Sequence, residues 1–227
     1  MPDDSPLENG EARPIATVDA VVLVLDEGVI KLAVHRRPRE PFADALALPG
    51  GYVHVGEDRD AEAAIRRILR EKAGMGGFYL EQLGTFSGAD RDPRGWSLSV
   101  AWVALLPVSE FAPEDPEVVL IDASDPGDLA FDHGSIVAAA MTRLRGKGAY
   151  STLPAMLLPE LFTLTELQHA YESVLGIRLD QSAFRRRVAE MRLINPTDEL
   201  RRSAGRPAKL WRLAGPAGTF DRIIGGG

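Results

Sequence analysis

The chain has 227 residues, 45% hydrophobic and 26% charged, with a formal net charge of −7, which suits a soluble protein of one large or two smaller domains. It has no cysteine, excluding disulfides and thiolate metal sites and favouring a reducing, cytoplasmic setting. No apolar run approaches the roughly 20 residues that span a bilayer, so no membrane partner is expected.

The charge is unevenly spread. Residues 1–150 hold 15 basic and 25 acidic residues, whereas 178–212 hold 10 basic and 4 acidic. An acidic body with one basic module places contact with a polyanion in the C-terminal part; the alternative reading is a solvated basic helix.

Residues 1–14 are acidic and Pro-containing, unlike a signal peptide, and read as a disordered tail. Thr17 to Leu25 reads as a buried strand, Asp26–Gly28 as a tight turn, and Val29 to His35 as its partner. Ala45–Leu48 is a short strand entering a glycine loop at Pro49-Gly50-Gly51. Residues 58–73 read as a helix with Ala61, Ala64, Ile65, Ile68 and Leu69 as its apolar stripe, stopped by Gly74. Strands follow at Tyr79–Ser87 and Trp96–Leu106, around a charged loop at Asp90–Gly95. Pro113 to Pro126 reads as irregular, and Gly134 to Leu144 as a helix. Arg145–Gly148 is a plausible hinge, dividing a domain at 15–150 from one at 151–227.

The second domain opens with a helix whose Thr163 and Glu166 have capping-box spacing and which ends at Gly176. Asp180 is positioned to cap a second helix over about Gln181–Arg192. Leu193–Pro196 and Ala208–Leu213 read as strands flanking a turn at Gly205-Arg206-Pro207. Helix, turn, helix and β-ribbon is the layout of a winged helix-turn-helix.

Three segments carry chemistry. The first, Gly50 to Met75, has the shape of a Nudix box, the loop-helix-loop that holds Mg²⁺ against a diphosphate. Gly51 and Glu57 fit its opening. Aligning its end on Gly74-Met75 puts Arg67 at the motif arginine and Ile68, Glu71 and Lys72 at the three glutamates. Positions i, i+3 and i+4 share one helix face, and three carboxylates there would suit Mg²⁺. Here that face offers an alkyl group, one carboxylate and an ammonium. Metal-assisted hydrolysis needs a cation to polarise phosphoryl oxygen, so the expectation is a pocket and not an enzyme. No metal site is expected; Glu57 and Glu71 are the residual candidates.

The second is a set of residues suited to a nucleotide. Arg36, Arg37 and Arg94 offer bidentate bonds to phosphate, Phe42 and Trp96 offer aromatic faces, and Gly50 and Gly51 allow close approach. The third is the second helix of the C-terminal pair, where Ser182, Arg185, Arg186 and Arg187 stand at a major-groove-reading position. Arg206, between Gly and Pro at the ribbon tip, suits a minor groove, and Lys209 follows it.

Leu48-Pro49-Gly50-Gly51, Arg70-Glu71-Lys72, Asp90–Gly95 and Gly205-Arg206-Pro207-Ala208 together resemble the Nudix-related transcriptional regulators of NAD metabolism, the NrtR family. The resemblance implies an α+β chain: an N-terminal Nudix-like α/β/α sandwich joined to a C-terminal winged helix-turn-helix. It further implies a homodimeric repressor of NAD synthesis or salvage genes on a palindromic double-stranded operator. No cofactor is required; ADP-ribose or a related NAD metabolite would be the effector. The alternative is an active Nudix hydrolase of ADP-ribose-type substrates with an accessory basic domain.

Overall fold

The longest strand, β1 (Ile15–Asp26), organises the N-terminal part of the computed structural model, which describes residues 13–73, 77–113, 115–202, 207–220 and 224. The expected tail at 1–14 falls almost wholly outside the described residues, as do Gly205 and Arg206 of the expected wing tip. Glu27 and Gly28 both take positive φ (47° and 82°), as a two-residue hairpin turn of matching twist requires. The chain returns as β2 (Val29–Arg36), antiparallel to β1 from Asp26↔Val29 to Val22↔Ala33.

β3 (Leu46–Ala47) pairs with β2, and β4 (Gly50–Tyr52) with the opening of β1. The expected glycine loop is therefore a short strand: Gly51 faces Val18 and Gly50 faces Asp19 across the ladder. β5 (Tyr79–Gly88) is antiparallel to β6 (Ser97–Leu105), which runs parallel to β1. β7 (Val118–Asp122) adds to β2 inside the segment expected to be irregular. Its apolar run is short, and the Pro and acidic residues around it mask the strand signal.

Side chains alternate across the sheet. Val18, Ala20, Val22 and Val24 pack with Ala64, Ile65, Ile68 and Leu69 of α1 (Ala61–Ala73). Val21 and Leu23 pack with Ile136, Val137, Ala140, Met141 and Leu144 of α2 (His133–Gly148) on the opposite face. The expected α/β/α sandwich is present. α1 starts three residues later than expected, because Asp60 caps it by accepting from the Ala63 amide at 2.8 Å. α2 continues through the expected hinge at Arg145–Gly148. Arg143 and Lys147 both bind the Glu81 carboxylate at 2.8 Å, fastening the last turns of α2 to β5.

The second module has its own core of Phe162, Leu167, Tyr171, Phe184, Val188 and Ile194. α3 (Leu164–Leu175) has the expected capping box, with Glu166 N donating to Thr163 Oγ1 (3.1 Å) and Thr163 N to Glu166 Oε2 (2.7 Å). It ends at Gly176 with φ 68°. α4 (Gln181–Glu190) is capped by Asp180, which accepts from Ala183 N at 2.8 Å. It stops short of Arg192, whose φ of 52° has left the helical region. β8 (Ile194–Arg201) and β9 (Ala208–Leu213) form a two-stranded ribbon, and Phe162 makes an isolated antiparallel bridge to Trp211 at its base.

The two modules share packing. Val174 of α3, with Leu153 and Leu157, belongs to the core under α2, and Ser173 Oγ donates to Gly28 O at 2.8 Å. Gly148 is the tightest point: a Cβ there would lie 2.7 Å from Val174 Cγ1. The substitution Gly148→Ala is expected to destabilise the chain by about 1–3 kcal/mol through overpacking, read as a lower urea midpoint at unchanged slope.

Candidate ligand pocket and nucleic-acid interface

The box helix is built around Arg67. Its guanidinium binds Asp58 through two bonds of 2.9 and 2.7 Å and reaches the Tyr52 carbonyl at 3.3 Å. These bonds hold the Asp58 carboxyl down to about 2. The carboxylate that engages the motif arginine is thus Asp58 and not Glu57, which is exposed and meets His54 at 3.2 Å. The three aligned glutamate positions do not form one open face. Ile68 is buried at 2% exposure in the core, whereas Glu71 is 60% exposed and lies 3.5 Å from Arg67. The side chain of Lys72 lies outside what the structure describes. Among the described residues no group of three or more His, Asp or Glu side chains is arranged to hold a metal.

On the other face of β4 the picture differs. Gly51 faces Ile68, whose Cδ1 would be 3.3 Å from a Cβ at that position, while Gly50 faces Asp19. By alternation Tyr52 follows Gly50. Tyr52 OH accepts from Arg94 Nη1 at 2.5 Å, and the Arg94 guanidinium lies 5.6 Å from its ring centroid. Arg94 is held by Asp92 through bonds of 2.9 and 2.6 Å. Phe131, at φ 57°, sits between Arg37 (4.7 Å to its ring) and Arg94 (5.9 Å), with Phe42 edge-on at 4.8 Å. Burial, and the nearness of Arg94, lower the Arg37 pKa. Burial acts to raise the Asp92 carboxyl, but the bonds from Arg94 outweigh it and hold the group below its ordinary value.

Of the sequence-expected ligand residues, the structure brings Arg37, Arg94, Phe42 and Gly50 together. Arg36 points elsewhere, donating to Asp44 O at 2.6 Å and lying 3.9 Å from Glu117. Gly51 faces the α1 side. Trp96 is 49% exposed at the entrance to β6. Sequence reasoning missed Tyr52, Phe131, Asp19 and His133. Asp19 had a signal: one acid inside an otherwise apolar strand. Phe131 had none, since its place depends on a backbone bend.

Beneath the cluster lies a buried polar group. Asp19 accepts from Ser99 Oγ at 2.5 Å and lies 3.6 Å from His133 Nε2. His133 Nδ1 accepts from Leu48 N at 2.9 Å, so its proton is on Nε2, facing Asp19, and the ring is neutral. The charged loop at Asp90–Gly95 is anchored by Arg91, which grips Asp132 at 2.8 and 3.1 Å and Ser97 Oγ at 3.1 Å.

In the second module, Phe184 and Val188 of α4 point into the core, leaving Ser182, Arg185 and Arg186 exposed. Arg187 is half-buried and engaged, and Arg186 Nε lies 3.9 Å from Glu190. The three consecutive arginines thus diverge, as successive positions about 100° apart require. Lys209 is exposed on β9 with Nζ 5.5 Å from the Trp211 ring. Arg178 and Arg201, counted in the basic excess, are instead paired with Glu172 and Glu166. No helix among the described residues is long and apolar enough to cross a membrane.

Comparison with known proteins bears on both sites. The family model for the NrtR DNA-binding winged helix domain matches residues 154–213. The chain is 39% identical over 206 residues to the ADPR-responsive transcriptional repressor NtrR of Acinetobacter baylyi, covering 88% of this chain and 82% of that one. It superposes on Shewanella oneidensis NrtR crystallised with a 27mer DNA at a TM-score of 0.84 and 34% identity, covering 92% and 98% of the two chains. The Nudix domain of that protein, crystallised with ADP ribose, matches at a TM-score of 0.56 and 30% identity, over 61% of this chain and 93% of the domain. An ADP-ribose pyrophosphatase of Methanocaldococcus jannaschii is 32% identical over 127 residues, 55% of this chain and 72% of the enzyme. The α+β architecture is accordingly a Nudix-type sandwich followed by a winged helix.

Burial lowers the His133 pKa below its usual 6.5, with Asp19 opposing the shift. The unfolded chain therefore takes up this proton first as pH falls. Stability is expected to decline as pH falls through 6.5, the value of the unfolded chain. In His133→Asn, whose Oδ1 stands in place of Nδ1 and keeps an acceptor for Leu48 N, urea melts taken above and below pH 6.5 should show the decline reduced.

Proposed function

Because the chain belongs to the NrtR family of transcriptional regulators, we propose that it is an ADP-ribose-responsive repressor of NAD biosynthesis or salvage genes, acting in the cytoplasm. Residues 15–150 sense the metabolite and 151–227 bind a palindromic operator. The observation that carries the reading is the separation across β4. Arg37, Arg94, Phe42, Phe131 and Tyr52 gather on one face, while Ile68, at a metal-ligand position of the box, is buried on the other. An alkyl group buried at a metal-ligand position supplies no oxygen for Mg²⁺, while the arginines and rings that would meet the ligand remain in place. The chain is then a sensor and not an enzyme.

The pocket chemistry suits ADP-ribose. Arg37 and Arg94 offer charge-assisted bonds to the diphosphate, and the aromatic rings offer faces for the base. The tight ladder at Gly50 admits no side chain beside Asp19. On the DNA side, Ser182, Arg185 and Arg186 stand where a recognition helix meets the major groove. Arg187, Lys209 and Arg206 add phosphate or minor-groove contacts. Two chains would pair and hold two such helices ~34 Å apart, one turn of DNA. The effector acts as a switch only if it binds the two arrangements with different affinity.

ADP-ribose is expected to raise the melting temperature in a concentration-dependent manner, as mass action requires, and Arg94→Ala or Phe131→Ala to remove most of the gain. Incubation with ADP-ribose and Mg²⁺ should give no turnover in the ordinary enzyme range of about 1–10³ s⁻¹; turnover in that range would establish the hydrolase alternative instead. Arg186→Ala should weaken duplex binding by about 1–3 kcal/mol in a mobility-shift titration. Unchanged binding would remove α4 from the interface.

A further inference from the structure

The capping glutamate of α3 has a second partner. Glu166 Oε2 accepts the Thr163 amide at 2.7 Å and closes the capping box, while Oε1 accepts from Arg201 Nη1 on β8. The same guanidinium donates through Nη2 to Leu161 O at 3.0 Å. Leu161 adjoins Phe162, which pairs with Trp211 of β9 through bonds of 3.0 and 2.8 Å. One arginine therefore joins the outer end of β8 to the helix-turn-helix and to the segment that bridges the ribbon's base.

The ribbon needs such a brace. Its ladder is interrupted between Pro196 and Leu200, where a side-chain bond from Thr197 Oγ1 to Leu210 O at 3.0 Å crosses the gap, and among the described residues the outer part is paired through Leu200↔Lys209 and Arg201↔Ala208. Proline contributes no amide donor, and a bulge bends and loosens its strand. Arg201 adds a tie on the far side of the interruption, where the outer ribbon is otherwise held by its own short ladder. Arg201 sits in that outer part, across from Ala208 and next to the Leu200↔Lys209 pair. Both partners are about 40% exposed, and pairs of that exposure add little to global stability. Their consequence is the direction of the wing.

We propose that Glu166 and Arg201 are positioning residues for DNA binding: the Glu166–Arg201 clamp aims the wing, with Lys209, at the duplex, and Arg201 does not itself grip phosphate. The proposal rests on the DNA-binding reading above. It makes a counter-intuitive prediction of sign. Removing a carboxylate from a DNA-binding module ordinarily strengthens attraction to phosphate. Glu166→Gln should weaken it. A glutamine still caps, but its single carbonyl oxygen serves either Thr163 N or Arg201, whereas the carboxylate serves both.

The test uses the full chain and the duplex that the wild-type chain enriches from a random-sequence pool. Failure to enrich any duplex would refute the DNA-binding reading itself. Given an enriched duplex, Glu166→Gln should bind it several-fold more weakly, with helix content and melting temperature close to wild type. Unchanged or tighter binding overturns the clamp. Arg201→Ala supplies an independent arm. It should weaken binding in the wild-type background and add little in a Lys209→Ala background, since both changes withdraw the same wing. Additive loss, with a further fall in the salt slope, would show Arg201 touching phosphate directly and would also overturn the proposal.

Discussion

A single carboxylate set into an apolar strand underlies the aromatic–arginine cluster. Asp19 belongs to the row of β1 that faces α2, and the next residues of that row, Val21 and Leu23, are buried in an apolar core. A buried carboxylate is costly unless it is hydrogen-bonded and paired, and its surroundings meet that demand. Ser99 donates to it, and His133 turns its protonated nitrogen toward it. The facing strand carries glycine at position 50, where a Cβ would be 1.9 Å from the Asp19 oxygen. His133 in turn places the ring of Phe131 at 5.3 Å, and Phe131 carries the two arginines. The aromatic–arginine cluster is thus the upper layer of a polar column that begins at Asp19.

The same economy of parts recurs at the junction of the modules. α2 begins beside the pocket at Asp132 and His133 and ends at Gly148 against Val174 of α3. Arg91 grips its first turn from the charged loop, and Glu81 holds its last turns. A 16-residue helix spans ~24 Å at 1.5 Å per residue. The ligand cluster and the winged module therefore meet opposite ends of one packed element, with no flexible linker between them.

Much of this was readable from the chain. Capping chemistry is local, so Thr163, Glu166, Gly176 and Asp180 announced both C-terminal helices, and the near-continuous apolar run of residues 17–25 announced the central strand. What escaped depended on distant partners. Pro49-Gly50-Gly51 has the composition of a loop, and only pairing with β1 makes it a strand. Arg145–Gly148 has the composition of a hinge, and only Glu81 and Val174 keep it helical. The adjacent arginines 36 and 37 looked equivalent, yet they end on opposite sides of a strand terminus. The alignment of Ile68 with a lost glutamate was legible; its burial, and the use of Asp58 as the partner of Arg67, were not.

The uneven charge has a consequence for how the two anionic ligands reach the protein. Residues 1–150 carry 25 acidic against 15 basic side chains, and the guanidinium of Arg94 is already paired with Asp92. A diphosphate approaching that half does so against a repulsive long-range field, which dissolved salt screens. DNA approaching residues 178–212, with 10 basic and 4 acidic side chains, meets an attractive field, and salt weakens that encounter. Rising ionic strength therefore eases the approach of the metabolite while loosening the grip on the duplex, so the salt of the medium and the metabolite level act on the same balance.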